Sequence, residues 1–427
     1  MLNPDYAFET AASAVRFGPG VTGEIGMDLA DLGVRRALVV TDPMLARLPP
    51  VRTVLDSLDA HRVGWSLYDR VSVEPTDRSF AEAIAFAREQ AFEAIVAVGG
   101  GSTIDTAKAI NLYVSYPPAD FLDYVNPPVG KGLPIPGALK PLMAVPTTAG
   151  TGSETTGVAV FDHTGLRVKT GTSNRRLKPT LGFLDPDNTR TMPREVAVSS
   201  GLDVLCHAVE SYTAVPFTGR PRPARPGLRP AYQGANPISD VWALQTLRMI
   251  GRFFVRAVED PSDDEARAQM LLAASYAGIG FGTAGVHLPH AMSYPVSGNV
   301  SGYRAPGYAT DHALVPHGLS VVLNAPAAFR FTAPASPTRH LEAAEALGAD
   351  VARSRPEEAG PRLADRILWY MQRLGAPNGL RAVGYTATDI PRLVEGTLLQ
   401  QRLTALSPRP AGPDDLARLF EDGLRAW

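Results

Sequence analysis

Four of the eight histidines of this 427-residue chain fall in the single stretch 279–319, as His287, His290, His312 and His317. Upstream, in GLDVLCHAVE, Asp203 and His207 are four residues apart, with Glu210 one turn further on. On a helix that spacing stacks Asp203 and His207 on one face. One carboxylate with three imidazoles is a donor set for a first-row divalent metal such as zinc, iron or nickel; calcium and magnesium take oxygen ligands instead. A lone histidine on an apolar face is usually a hydrogen-bonded core residue. Four within one stretch, after an Asp-x-x-x-His, are harder to assign to packing.

A second set of residues is suited to an anion. The run AIVAVGGGSTIDTAKAINLY passes from a buried strand through Gly99, Gly100, Gly101 and Ser102 into a helix. Such a loop lets the backbone approach an anion, and the helix N-terminus offers unpaired N–H groups. It fits neither the Walker pattern nor GxGxxG. Alone, GGGS is explained as well by a tight turn. With the second loop TTAGTGSE (Thr147–Glu154) it suggests a pyrophosphate held between two loops. Asp42, ending the strand RRALVVTD, fits a ribose-hydroxyl acceptor and so NAD over NADP, with helix capping as the alternative. TGVAVFDHTGLRVKTG reads as a hairpin with Asp162 and His163 near its turn. Lys169 on its return strand can reach a cofactor phosphate or ribose, or stand solvated.

The elements that must carry these residues divide in two. Strands and helices alternate through the first third, which predicts a parallel sheet covered on both faces, with ligands beyond the strands' carboxyl ends. From Met192 the pattern is helical, and facing helices are a common place for a metal. The expectation is an α/β dinucleotide-binding domain over 1–190 and an all-α domain over 191–427. Two irregular insertions, 216–237 and 297–311, both carry arginines that suit a carboxylate.

Composition narrows the classes further. Hydrophobic residues at 45%, charged residues at 20% and a net charge of -2 describe a globular protein without a global pull toward nucleic acid or anionic membrane. No apolar run reaches the length of a membrane span, and the start resembles neither a secretion signal nor an organellar presequence, so a cytoplasmic location is expected. The single cysteine, Cys206, excludes an internal disulfide.

Taken together, these motifs resemble the iron-containing (group III) alcohol dehydrogenases. The family's marks are present in order: GGGS at Gly99–Ser102, TTAGTGSE at Thr147–Glu154, GLDVLCHA at Gly201–Ala208, then His290 and Pro316-His317-Gly318. Within it the chain is most similar to the hydroxyacid–oxoacid transhydrogenase branch, along nearly its whole length, including PAYQGANPISD and GIGFGTAGVHLPHAMSYP. The resemblance implies the dehydroquinate synthase-like fold, with Rossmann-like sheet and helical second half. It implies Asp203, His207, His290 and His317 as ligands of Fe2+ or Zn2+, leaving His287 and His312 outside. It also implies NAD(H), tightly bound, at Asp42, the GGGS loop, Asp105, Thr147, Thr148, Thr151 and Lys169.

By the same resemblance, hydride passes from a 4-hydroxy acid such as 4-hydroxybutyrate to 2-oxoglutarate, giving succinic semialdehyde and 2-hydroxyglutarate, and the enzyme is a homodimer. Many members of the wider family carry a second histidine where Tyr294 stands, so Tyr294 or His312 would relay the proton. Arg304, or an arginine from 220–229, is expected at the substrate carboxylate, from its place in one of the two insertions. The competing readings are an NAD-dependent alcohol dehydrogenase that releases NADH, a metal- and NAD-dependent lyase of the dehydroquinate synthase type, and a non-catalytic binding protein.

Overall fold

A computed structural model describes residues 4–166, 168–308, 310 and 312–427. The chain divides into two compact units, Ala12–Met192 and Pro193–Trp427, the latter joined by the N-terminal residues through Ala11.

The first unit is built on a six-stranded sheet. Its strands are β1 (Ala14–Phe17), β2 (Arg36–Val40), β3 (Gly64–Tyr68), β4 (Ala94–Gly99), β5 (Leu142–Pro146) and, after an antiparallel hairpin of β6 (Val158–His163) and β7 (Val168–Ser173), β8 (Leu181–Leu184). The spatial order is β1-β8-β5-β4-β2-β3, every pair parallel. Alternation along β2 and β4 shows why. Leu38, Val40, Ile95 and Ala97 pack into one core, and Ala37, Val39, Val96 and Val98 into another. A strand apolar on both faces needs helices on both. The first core receives α3 (Asp77–Arg88) and α4 (Gly101–Ser115), through Phe80, Ile84, Ile104 and Ile110. The second receives α1 (Ile25–Asp31) and α2 (Pro49–Ala60), through Ile25, Val51, Val54 and Leu58. β4 and β5 lie side by side with Gly99 opposite Pro146, so the two small-residue loops leave adjacent strand ends.

The second unit is helical. Its leading elements are α5 (Arg194–Thr213), α6 (Pro237–Glu259), α7 (Asp264–Ala284), α8 (Leu288–Gly298) and α9 (His317–Val322). α5 is buried on every side from Val198 onward apart from Ser200 and packs on α6, α7 and α9, which makes it the axis of the bundle. Gly201 permits that closeness, since a Cβ there would lie 2.0 Å from a ring carbon of Phe254 on α6. α7 stops at Gly285, whose φ of +90° suits glycine. Among the described residues no single helix is long and apolar enough to cross a membrane.

The N-terminal residues differ from the expected 1–190 boundary in packing with the helical unit. Buried Asp5 accepts from the Arg229 guanidinium at 2.9 and 3.1 Å and pairs with Arg220 at 3.0 Å, and Pro4 bridges Pro221. The first proline-rich insertion thus anchors the N-terminus, and two of its four arginines, Arg220 and Arg229, are spent on Asp5.

Candidate metal centre and cofactor loops

Asp203, His207, His290 and His317 each present one donor atom, and the four atoms lie within 4.8 Å of one another. Three helices supply them. Asp203 and His207 share one face of α5, His290 is in the first turn of α8, and His317 opens α9 behind Pro316. The Nε2 atoms of His290, His207 and His317 stand 3.5, 3.8 and 3.9 Å from Asp203 Oδ1. These distances are long for hydrogen bonds, and Asp203 Oδ1 and His290 Nε2 are buried without a hydrogen-bond partner. Donors about 2.0–2.2 Å from one tetrahedral cation would be roughly 3.3–3.6 Å apart. The residues present therefore fit a divalent ion.

Charge within the cluster is divided unevenly. Burial works against ionising Asp203, but His207, His317 and His290 hold its carboxyl below the usual range. Burial pushes His207 down to about 3. Burial would also lower His290, yet the carboxylates of Glu210 and Asp203 outweigh it and lift the imidazole to about 9.

Glu210 is the residue whose role the sequence did not disclose. It is fully buried on α5, one turn beyond His207. Its Oε1 accepts the backbone N–H groups of His287 and His290 at 2.8 and 3.1 Å, capping the start of α8. Its Oε2 accepts a hydrogen bond from His290 Nδ1–H. That bond fixes the tautomer and leaves His290 Nε2 as a lone-pair donor toward the cluster. A Glu210→Gln amide would keep its oxygen on the two N–H groups and turn its NH2 toward Nδ1, favouring the wrong tautomer. We expect it to weaken metal affinity by about 10–100-fold, read by titration with zinc against a competing chelator.

The neighbouring histidines stand apart from the cluster. His287 is buried with Nε2 on the Thr213 hydroxyl at 2.9 Å, a core histidine. His312 is exposed on the loop before α9. Tyr294 is 4% exposed, one turn beyond His290, with its ring 6.4 Å from that of His317. Arg304 is exposed and its Nη1 lies 3.4 Å from the Thr310 carbonyl in its own loop. Phe281 stacks on His207 at 4.1 Å and shields it from water.

In the α/β unit the two small-residue loops touch. A Cβ on Gly101 would lie 2.5 Å from Thr151 Cγ2, one on Gly100 would meet Thr148 Oγ1 at 3.3 Å, and the Thr147 N–H donates to the Gly99 carbonyl at 3.2 Å. α4 begins at Gly101 with no side-chain cap, so its first N–H groups are left for an anion. These features fit a dinucleotide pyrophosphate. Asp42 Oδ1 accepts from the Met44 and Leu45 N–H groups at 2.9 Å, the capping role, with Oδ1 thereby engaged.

Two residues expected at the cofactor are placed differently. Asp105 uses both oxygens within the protein, accepting from the Ser153 hydroxyl at 2.6 Å and the Val160 N–H at 2.9 Å. It ties α4 to the second loop and to β6. Lys169 is 1% exposed, with Nζ 2.6 Å from Glu74 and 3.0 Å from Asp162. An ammonium so buried needs its carboxylates, and Glu74 in turn donates its N–H to Ser102 Oγ at 3.1 Å. Lys169 therefore braces the glycine loop from behind. Lys108, which the sequence did not single out, is fully buried and donates to Ser153 and the Val158 carbonyl at 2.6 and 2.8 Å, holding the second loop.

A parallel sheet with an anion cradle at adjacent strand ends and a carboxylate–imidazole centre in a helical bundle define a metal- and dinucleotide-dependent oxidoreductase acting on CH–OH groups. The chain belongs to the iron-containing alcohol dehydrogenase family. The family model "Iron-containing alcohol dehydrogenase" matches residues 12–186, and "Fe-containing alcohol dehydrogenase family, C-terminal" matches 231–424. The chain is 57% identical over 424 residues to the Bos taurus "Hydroxyacid-oxoacid transhydrogenase, mitochondrial", covering 99% of this chain and 91% of that one. The location in that relative's name contrasts with the cytoplasm expected from the sequence. Among solved structures it is similar to a 1,3-propanediol oxidoreductase (27% identity, TM-score 0.85, 98% and 100% of the two chains). It is likewise similar to an alcohol dehydrogenase from Oenococcus oeni (26%, 0.85, 98% and 100%).

Proposed function

We propose that the chain is a hydroxyacid–oxoacid transhydrogenase, carrying hydride from a 4-hydroxy acid such as 4-hydroxybutyrate to 2-oxoglutarate on an NAD(H) that stays bound. The observation that carries this reading is the near-full-length identity to the transhydrogenases, in a chain that retains the whole four-donor cluster. A divalent metal supplies Lewis acidity that makes a substrate hydroxyl acidic near neutral pH, and NAD(H) supplies the hydride acceptor and donor.

The chain's own residues do the rest. Asp203, His207, His290 and His317 hold the ion, and Glu210 keeps the Nδ1 proton of His290 away from it. Gly100, Gly101 and the start of α4 receive the pyrophosphate, with Lys169 and Asp105 bracing the loops. Tyr294, buried beside His317, would hand on the substrate proton, and exposed His312 would exchange it with solvent. The expected assembly is a homodimer, and Fe2+ and Zn2+ both suit the donors.

The test is a mixed-substrate assay on protein purified without added nucleotide and loaded with ferrous iron or zinc. Given 4-hydroxybutyrate and 2-oxoglutarate but no NAD, it should form 2-hydroxyglutarate over many turnovers. Product that depends on added NAD, with NADH accumulating from an alcohol alone, would instead mean a dehydrogenase that releases its cofactor.

A further inference from the structure

A half-buried cation beside the metal centre lacks a counter-ion among the described residues. Arg402 lies on the short helix Gln401–Thr404, which packs on α8. Its Nη2 donates to the Tyr294 hydroxyl at 3.0 Å, and its Cζ lies 5.5 Å from the centre of the Tyr232 ring. Its Nη1 is buried with no hydrogen-bond partner, and no carboxylate among the described residues pairs with it. Buried guanidinium groups are ordinarily paired, because an unmet N–H donor in a dry site is costly. Here the Tyr294 hydroxyl and the Tyr232 ring hold the group while Nη1 has no partner. Tyr294 also sits one helical turn, about 6 Å along the axis, from the metal-cluster residue His290.

We propose that Arg402 binds the carboxylate that the hydroxy acid and the oxo acid share, with Tyr232 and Tyr294 fixing its guanidinium. The proposal rests on the transhydrogenase reading, and the chemistry of that reaction sharpens it. In 4-hydroxybutyrate the carboxylate carbon is three carbons from the carbon that loses hydride. In 2-oxoglutarate the distal carboxylate is again three carbons from the carbon that gains it. One fixed guanidinium can therefore serve both half-reactions, with a planar fork matched to a carboxylate. Arg304, which the sequence favoured for this role, is exposed and turned to its own loop.

The experiment compares the wild-type protein with Arg402→Gln, Arg402→Lys and Arg304→Gln. The first readout is the ratio of kcat/KM for 2-oxoglutarate over 2-oxobutyrate, which lacks the distal carboxylate. Arg402→Gln should lower that ratio by about 100-fold, Arg402→Lys should recover part of it, and Arg304→Gln should keep it. Equal losses on both oxo acids would overturn the proposal, since a merely structural role predicts them. The second readout is calorimetric binding of butyrate, with 1-butanol as the neutral control, to each protein as isolated. It decides on Arg402 even if wild-type protein forms no 2-hydroxyglutarate and the transhydrogenase reading falls. Butyrate affinity lost in Arg402→Gln and reduced but partly kept in Arg402→Lys, relative to butanol, supports the site; affinity unchanged in both, or absent from wild type, overturns it. If Arg402→Gln does not fold, Arg402→Lys carries both readouts.

Discussion

Replacing Asp203 with alanine is expected to empty the centre of metal and to lower turnover roughly a thousandfold or more, the scale of losing a Lewis acid worth several kcal/mol. Asp203 is the cluster's one carboxylate, and its Oδ1 is the atom on which the three Nε2 atoms converge at 3.5–3.9 Å. Without it three imidazoles remain, with no carboxylate among the donors. Metal analysis of the purified protein should fall from about one ion per chain to near none, while the far-ultraviolet dichroism stays helical. A second signature is thermal. Zinc at a thousandfold excess over its Kd should stabilise the wild type by about 4 kcal/mol and leave Asp203→Ala unmoved. Full activity and full metal in Asp203→Ala would end the metal-centre reading.

The second large effect concerns a residue with no side chain. A Cβ on Gly318 would lie 2.0 Å from the Ser199 carbonyl oxygen and 2.9 Å from Asp203 Cβ. The carbonyl belongs to α5 and cannot turn aside, so Gly318→Ala must lift α9 away from the bundle axis. His317 is the residue before it and would be drawn off the cluster. We expect a loss of about 3 kcal/mol in stability and about 100-fold in metal affinity. Gly302→Ala is the control, because a Cβ there meets nothing within 4 Å. If Gly318→Ala melts and binds zinc like Gly302→Ala, the close approach of α9 to α5 is wrong.

What could be read beforehand, and what could not, follows from sequence distance. Asp203 and His207 announce themselves because helical periodicity is local, and β4 because a run buried on both faces is a continuous apolar word. β1 is hard to read from sequence because AVRF is only four residues long, and three of its side chains face solvent in the structure. Glu210 was visible as a residue, but its task depends on His290, eighty positions away. Lys169 reads as a cofactor contact because a lone lysine on a strand carries no sign of Glu74, ninety-five positions off. The N-terminal arm joined the helical unit for the same reason, through Asp5 and Arg229. Arg402 had no motif at all: a cation declares itself only when its surroundings show that nothing balances it.

The four donors are unequal in one further respect. The side chains of Asp203, His207 and His290 are 3–5% exposed, whereas that of His317 is 25% exposed. The centre thus has a floor built into the bundle and a single door leaf at the start of α9. An ion or a chelator is therefore expected to meet His317 first, and local opening at the start of α9, easier than global unfolding of the bundle, would let one metal be exchanged for another with the fold intact.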